Sequence, residues 1–325
     1  MIHAGGRVFE LLDRVRRHAS IATGNFERLF AGVEIPPLPT AIARLVAEVN
    51  RDEPDQTRLA KMVGAMPEIG GKVLSTVNSA YFALPNQVSS ISHGLNLLGM
   101  KRIRSLVLSF AMRSALPAPP GSLFDATRFW SDSLLKALLA RALADHCCPA
   151  EREEAFTAML LSDIALPVLL GSWGEYYRPL IEQWRDAPER LSLAERASFQ
   201  WDHAQAGAWI LQNWEFPAEL VCFVGLHTSD LGQLRELELE QTVALAVIHA
   251  ARLPSCQKAD ARRATQMIEA INQGLGLEAE AQGALMERVG NEYRELCHLF
   301  ALAPGDGERV LALVAEQLPP PAEEG

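Results

Sequence analysis

The sequence predicts an all-α protein, and three observations predict it. Apolar residues recur at helical spacing along most of the 325-residue chain. Helix start signals stand where that spacing begins. No stretch of strict apolar–polar alternation and no hairpin signature interrupts the pattern. The composition, 49% apolar and 22% charged, suits a globular chain long enough for two core-forming units or one large one.

In chain order, an amphipathic helix over about residues 7–30 runs into EIPPLP, where Pro36, Pro37 and Pro39 forbid helix and restart the chain. Thr40 then precedes Ile42, Leu45, Val46 and Val49, spaced i, i+3, i+4 and i+7. Asp55 precedes Leu59, Met62, Val63 and Met66 at the same spacing, and Pro67 with Glu68 reads as a first helical turn. Short helices with tight turns fill the chain to about Leu116, and Gly70 and Gly71 would let two of them approach closely. LPAPPGS, residues 116–122, reads as a linker. Longer helices are expected to begin near Phe124, Glu151, Trp173, Asp202 and Pro217. Beyond residue 229 the chain stays helical but more charged, with Ala264, Met267, Ile268 and Ile271 on one face, and 319–325 reads as a disordered tail.

Composition also excludes function classes. No continuous apolar run reaches the roughly 18 residues that span a bilayer, and the first residues lack the apolar core of a secretory signal, so a cytoplasmic protein without a membrane role is expected. Five cysteines without C-x-x-C spacing suit reduced thiols rather than a disulfide framework. Residues 67–109 could be read as a helix-turn-helix on DNA. A net charge of −10, with Lys101, Arg102 and Arg104 as the densest basic cluster, argues instead for a chain that binds no nucleic acid.

One stretch demands a chemical explanation. AFTAMLLSDIALPVLL, residues 155–170, places Ser162 and Asp163 inside an apolar run. A carboxylate buried there must be hydrogen-bonded, paired, metal-bound or protonated, because burying it bare costs several kcal/mol. Asp132, His203, His227 and His249 stand in other helical stretches and could converge with it, as metal ligands do in helical bundles. Singly, each has a plainer explanation: a core histidine with one hydrogen bond, or an aspartate near a helix start.

The series IPPLPTAIARL, DEPDQTRLAKMV, KVLSTVNSAYF, VSSISHGLNLLGMKRIRSLVLS, FWSDSLLKALLARALA, EEAFTAMLLSDIAL and WDHAQAGAWILQNWEFPAELVCFVGLH resembles, in order and spacing, the HDOD family. These are HD-related output domains of bacterial signalling, related to HD-type metal-dependent phosphohydrolases. The resemblance implies a multi-helix HD-like bundle. An HDOD domain would span 31–228, with lobes at about 31–116 and 123–228. Residues 1–30 would be a preceding helix, and 229–318 a helical extension packed on the HD-like lobe.

The resemblance also implies a remnant HD site of Asp132, Ser162, Asp163, His203, His227 and His249, where the family's His-Asp pair falls on Ser162-Asp163. With that histidine gone, the expectation is a decayed site with no catalytic residue and no cofactor. Were a divalent metal held, Asp163, His203 and His227 would hold it. The glycine-tyrosine-proline signature of cyclic-di-GMP phosphodiesterases does not follow His227, where the chain reads TSDLGQLREL. The implied function is non-catalytic regulation through a signalling protein partner, or through a small molecule or nucleotide. The alternative is a phosphohydrolase with a rearranged site.

Overall fold

The computed structural model describes residues 35–51, 53–116, 118–119, 124–186 and 190–318. Among the described residues the regular structure is helical, apart from one isolated bridge between Ser255 and Lys258. The helix expected at 7–30 and the tail at 319–325 lie outside the described residues. The described residues fall into two units, one lying within 1–52, 115–124 and 161–228, the other within 53–114, 125–160 and 229–325.

In the first unit, the prolines hold residues 35–39 out of helix and α1 (Thr40–Val49) begins directly after them. Ile42, Leu45, Val46 and Val49 are its buried face, as their spacing predicts. The later helices of this unit are α8 (Ala165–Asp186), α9 (Leu191–Phe199), α10 (His203–Asn213) and α11 (Ala218–Leu226). The start expected near Trp173 is instead a kink inside α8, where Trp173 leaves helical geometry at φ −127°, ψ 31°. Tyr177, Leu180, Ile181, Trp184, Trp201 and Ile210 form the core that joins α8 to α9 and α10.

In the second unit, α2 (Gln56–Gly64), α3 (Pro67–Val77) and α4 (Ile91–Leu98) pack on one another. Asp55 caps α2 by accepting from the Arg58 N–H at 3.0 Å, and Pro67 occupies the first turn of α3. The serine-rich turn before α4 is closed by Asn78, whose amide donates to the Val88 carbonyl (2.8 Å) and accepts from the Val88 N–H (2.7 Å). After α5 (Met100–Ala115), the long α6 (Ala126–Cys147) is capped by Asp125. Then come α7 (Arg152–Leu161), α12 (Leu231–Glu236), α13 (Val243–Ala250), α14 (Ala261–Leu275), α15 (Ala279–Leu299) and α16 (Gly305–Gln317). Helices α13, α15 and α16 pack against α6.

The stretch from Pro149 to Glu175 is long and apolar enough by average composition to cross a membrane. It is interrupted by a turn at 162–164, and 78% of its most apolar window is buried, as in a core segment.

The two glycines of α3 differ. A Cβ on Gly70 would stand 2.9 Å from the Val63 carbonyl oxygen, whereas one on Gly71 meets nothing within 4 Å. Close approach of α3 to α2 therefore depends on Gly70 alone. Gly70→Ala is expected to lower stability by about 1–3 kcal/mol through overpacking. Gly71→Ala is expected to raise it by about 0.5–1 kcal/mol through helix propensity. Urea denaturation of the two variants checks both signs.

Candidate functional site

The apolar run at 155–170 is not one helix. It breaks at residues 162–164 between α7 and α8, where Leu161 O accepts from Ile164 N (3.2 Å) and Asp163 O from Leu166 N (3.0 Å). Asp163 thus sits on a tight turn at the head of α8, while Ser162 is fully buried.

His203 is placed by the short connection from α9 to α10. Gln200 ends α9 in the left-handed conformation (φ 66°). Two residues later Asp202 caps α10, accepting from the Ala204 and Gln205 N–H groups at 3.1 Å each. The Gln205 side chain accepts in return from Asp202 N, completing a capping box, so His203 is the first residue of α10. His227 follows the last turn of α11. Gly207 admits the neighbours of α10: a Cβ there would stand 3.3 Å from Val224 Cγ1 and 3.5 Å from the Ser162 carbonyl oxygen.

These elements bring Asp163, His203 and His227 together, each offering one ligand atom, all within 4.8 Å of one another. His203 Nε2 lies 3.3 Å, and His227 Nε2 3.4 Å, from Asp163 Oδ1. The two Nε2 atoms are 3.1 Å apart. The far sides of both rings are held: His227 Nδ1 lies 2.7 Å from the Val224 carbonyl oxygen and His203 Nδ1 2.5 Å from Glu195 Oε2. The fully buried Glu195 also accepts from the His203 backbone N–H (2.9 Å) and, through Oε1, from the Tyr177 hydroxyl (3.0 Å). Burial, followed by the Glu195 charge, raises the Tyr177 phenol well above its ordinary value, which keeps it a donor.

Two imidazoles whose Nδ1 atoms serve acceptors present Nε2 lone pairs to each other and to a carboxylate oxygen. That convergence calls for a cation, and a proton can supply it. Burial alone would lower the His203 value, but Glu195 and then Asp163 override it and push it up to about 10. His203 is thus an imidazolium at neutral pH, donating towards Glu195 from one nitrogen and towards Asp163 and His227 from the other. Burial, reinforced by the His203 charge, holds His227 below its ordinary value and neutral. The donor set of two imidazoles and one carboxylate, with an acceptor behind each ring, equally fits one divalent transition metal.

The site's backbone is tied by the neighbours of its functional residues. Asp202, fully buried beside His203, pairs with Arg196 Nη2 at 2.5 Å and accepts from Thr228 Oγ1 at 2.8 Å. Arg196 also donates to Thr228 Oγ1 at 2.8 Å. Burial would raise the Asp202 carboxyl, but the His203 and Arg196 charges hold it below its ordinary value of 3.8.

The remaining residues singled out from the sequence are engaged in the other unit. Asp132 is not at the helix start, which belongs to Asp125. It lies seven residues beyond that cap, about two turns into the helix, accepting from Ser255 Oγ and Cys256 N at 2.6 Å each, and burial raises its carboxyl. His249 lies between the carbonyl oxygens of Leu245 (2.7 Å) and Ala270 (2.8 Å). Lys101 pairs with Glu154 (2.8 Å), Arg102 with Glu153 (3.6 Å), and Arg104 is engaged as well. Sequence reasoning missed Glu195 and Tyr177. Neither is marked by spacing, because a left-handed turn separates Glu195 from the histidine it holds.

The HDOD domain model matches residues 35–229. A search of curated proteins gives no match. Among solved structures, an HDOD domain protein of unknown function from Geobacter sulfurreducens is 16% identical over 93% of this chain and 99% of its own, with a TM-score of 0.62. A protein from Shewanella amazonensis SB2B, whose name suggests a metal-dependent phosphohydrolase, is 18% identical over 91% and 99%, at 0.59. One from Marinobacter aquaeolei VT8, whose name suggests signal transduction, is 17% identical over 94% and 66%, at 0.60. At these identities the likeness is one of fold.

Two expectations follow from the geometry. Asp202→Ala removes a helix cap and leaves Arg196 and Thr228 without their carboxylate, a loss of about 2–4 kcal/mol in urea denaturation. Because the folded Asp202 value is depressed, its contribution is present above the ordinary aspartate range and lost as pH falls through the lower folded value. The variant should accordingly lose less stability on acidification. A metal entering the site displaces the His203 proton, so affinity for added Zn²⁺ should rise about tenfold per pH unit between about pH 6 and 8 in competition titrations.

Proposed function

Because the chain belongs to the HDOD family, we propose that it is a non-catalytic signal-transduction module acting through a protein partner, with its HD-type site reduced to a hydrogen-bonded remnant. The observation that carries this reading is the closure of the group. The side chains of Asp163, His203 and His227 expose only 12%, 8% and 2% of their surface, which leaves little face for a phosphoester. Two further facts support it. Ser162 stands where the family's metal-binding histidine would be, and Asp132 is committed to Ser255 and Cys256.

A bound divalent metal would supply Lewis acidity and an acidified water, the chemistry of phosphodiester hydrolysis. Asp163, His203 and His227 would hold it, with Glu195 and the Val224 carbonyl orienting the rings. That donor set is the specific observation favouring the second reading, a phosphohydrolase with a rearranged site. The N-terminal segment at about 7–30, which the sequence reads as amphipathic, and the charged C-terminal helices beyond residue 229 are the surfaces to test first for partner docking, and a cytoplasmic setting suits the proposal.

Turnover assays on cyclic dinucleotides and bis(p-nitrophenyl) phosphate, with Mn²⁺, Mg²⁺ or Zn²⁺ added, separate the readings. The expected result is no hydrolysis above that of the Asp163→Ala/His203→Ala double variant. Hydrolysis that the double variant abolishes would establish the enzyme reading instead.

A further inference from the structure

Helix α6 ends on two adjacent cysteines, Cys147 and Cys148, followed by Pro149. Their sulfur atoms lie 3.6 Å apart, and Cys147 Sγ also lies 3.7 Å from the Leu143 carbonyl oxygen. Cys147 is half-buried and Cys148 is 9% exposed, so a small reagent meets Cys147 first. The other three cysteines, Cys222, Cys256 and Cys297, are buried. The core contacts of α6 are made by Leu134, Leu135, Leu138, Leu139 and Leu143, and the cap is a backbone bond from Cys148 N to Ala144 O at 2.8 Å.

We propose that Cys147 and Cys148 form a reversible redox modification site, oxidised by small-molecule disulfides of the glutathione class to a disulfide between neighbouring residues. The Cys147 thiolate attacks one sulfur of the oxidant, forming a mixed disulfide and expelling one small thiolate, which takes up a proton. Cys148, deprotonated by solvent, then attacks Cys147 Sγ, forming the Cys147–Cys148 bond and releasing the second small thiol. Two protein thiols are oxidised and one small disulfide is reduced to two thiols, so electrons and protons balance.

The arrangement favours that order of attack. The hydrogen bond between the two sulfurs holds the Cys147 thiol below its ordinary value and pushes Cys148 up. It also favours reversibility. Neighbouring Cα atoms stand about 3.8 Å apart across a trans peptide, short of the roughly 4.4–6.8 Å that disulfides normally bridge. The resulting eight-membered ring is therefore strained and readily reduced, as labile and regulatory disulfides are. Closing it would also disturb the Cys148 N to Ala144 O bond and the 3₁₀ turn Pro149–Glu151, whose Glu151 N–H donates to Cys148 O at 2.9 Å.

The test uses the full-length protein. It is incubated with oxidised glutathione, quenched with N-ethylmaleimide, and read by intact mass and peptide mapping. The wild type should lose the mass of two hydrogens, with the new bond on the peptide holding residues 147 and 148, and reduced glutathione should reopen it. Cys148→Ser should instead accumulate one glutathionyl group on Cys147, and Cys147→Ser should react at least tenfold more slowly. Four outcomes on the wild type alone would overturn the proposal: no reaction, a mixed disulfide that never closes, modification at a buried cysteine instead, or a closed bond that persists in excess reduced glutathione.

Discussion

The buried carboxylate of Glu195 is the constraint around which the first unit is organised. It is fully buried, and among the described residues no arginine or lysine pairs with it. Its charge is met by the Tyr177 hydroxyl, the His203 backbone N–H and the His203 ring. An uncompensated carboxylate at such depth costs several kcal/mol, so the position of His203 and the charge on it follow from the need to satisfy Glu195. Because His203 is an imidazolium, its far nitrogen must find acceptors, and Asp163 and the neutral His227 are the groups that provide them. The odd carboxylate in an apolar run and the two histidines downstream are thus members of one hydrogen-bonded chain running from Tyr177 to Asp163.

Proton and metal compete for the same lone pairs in this arrangement. The second carboxylate behind His203 cuts both ways: it makes the imidazole a stronger ligand and also a stronger base. With Glu195 behind His203 and Ser162 beside Asp163, the cluster combines a strong base with three ligand side chains, a balance that supports the proposed hydrogen-bonded reading.

The helical architecture was legible because its signals are local. Thr40, Asp55, Pro67, Asp202 and Pro217 each stand at or immediately before the helix start they predict, since caps and prolines act within one turn. The convergence of Asp163, His203 and His227 is a fact of tertiary structure; the family's motif order brought these residues to notice, and periodicity did not. The break at 162–164 carries the same kind of local mark, since Asp163 stands just before α8 and Pro167 lies in its first turn, but the apolar run on both sides hides it. Asp132 and His249 show the converse. Their surroundings in sequence resemble those of Asp163 and His203, yet Asp132 is occupied by Ser255 and Cys256 and one side of His249 by the Ala270 carbonyl, from segments that sequence spacing does not link to them, while the Leu245 carbonyl of its own helix takes the other side of His249.

The latch of Arg196, Asp202 and Thr228 has an evolutionary consequence. Each of its members adjoins a residue of the cluster: Arg196 follows Glu195, Asp202 precedes His203, and Thr228 follows His227. Backbone placement and chemical function are therefore assigned to different side chains at adjacent positions. A lineage can exchange the ligand at one position while the neighbouring residue keeps the main chain where it was. At Asp163 and His227, which do not carry Glu195, a site built this way can change its ligand set one residue at a time while the latch keeps the main chain in place.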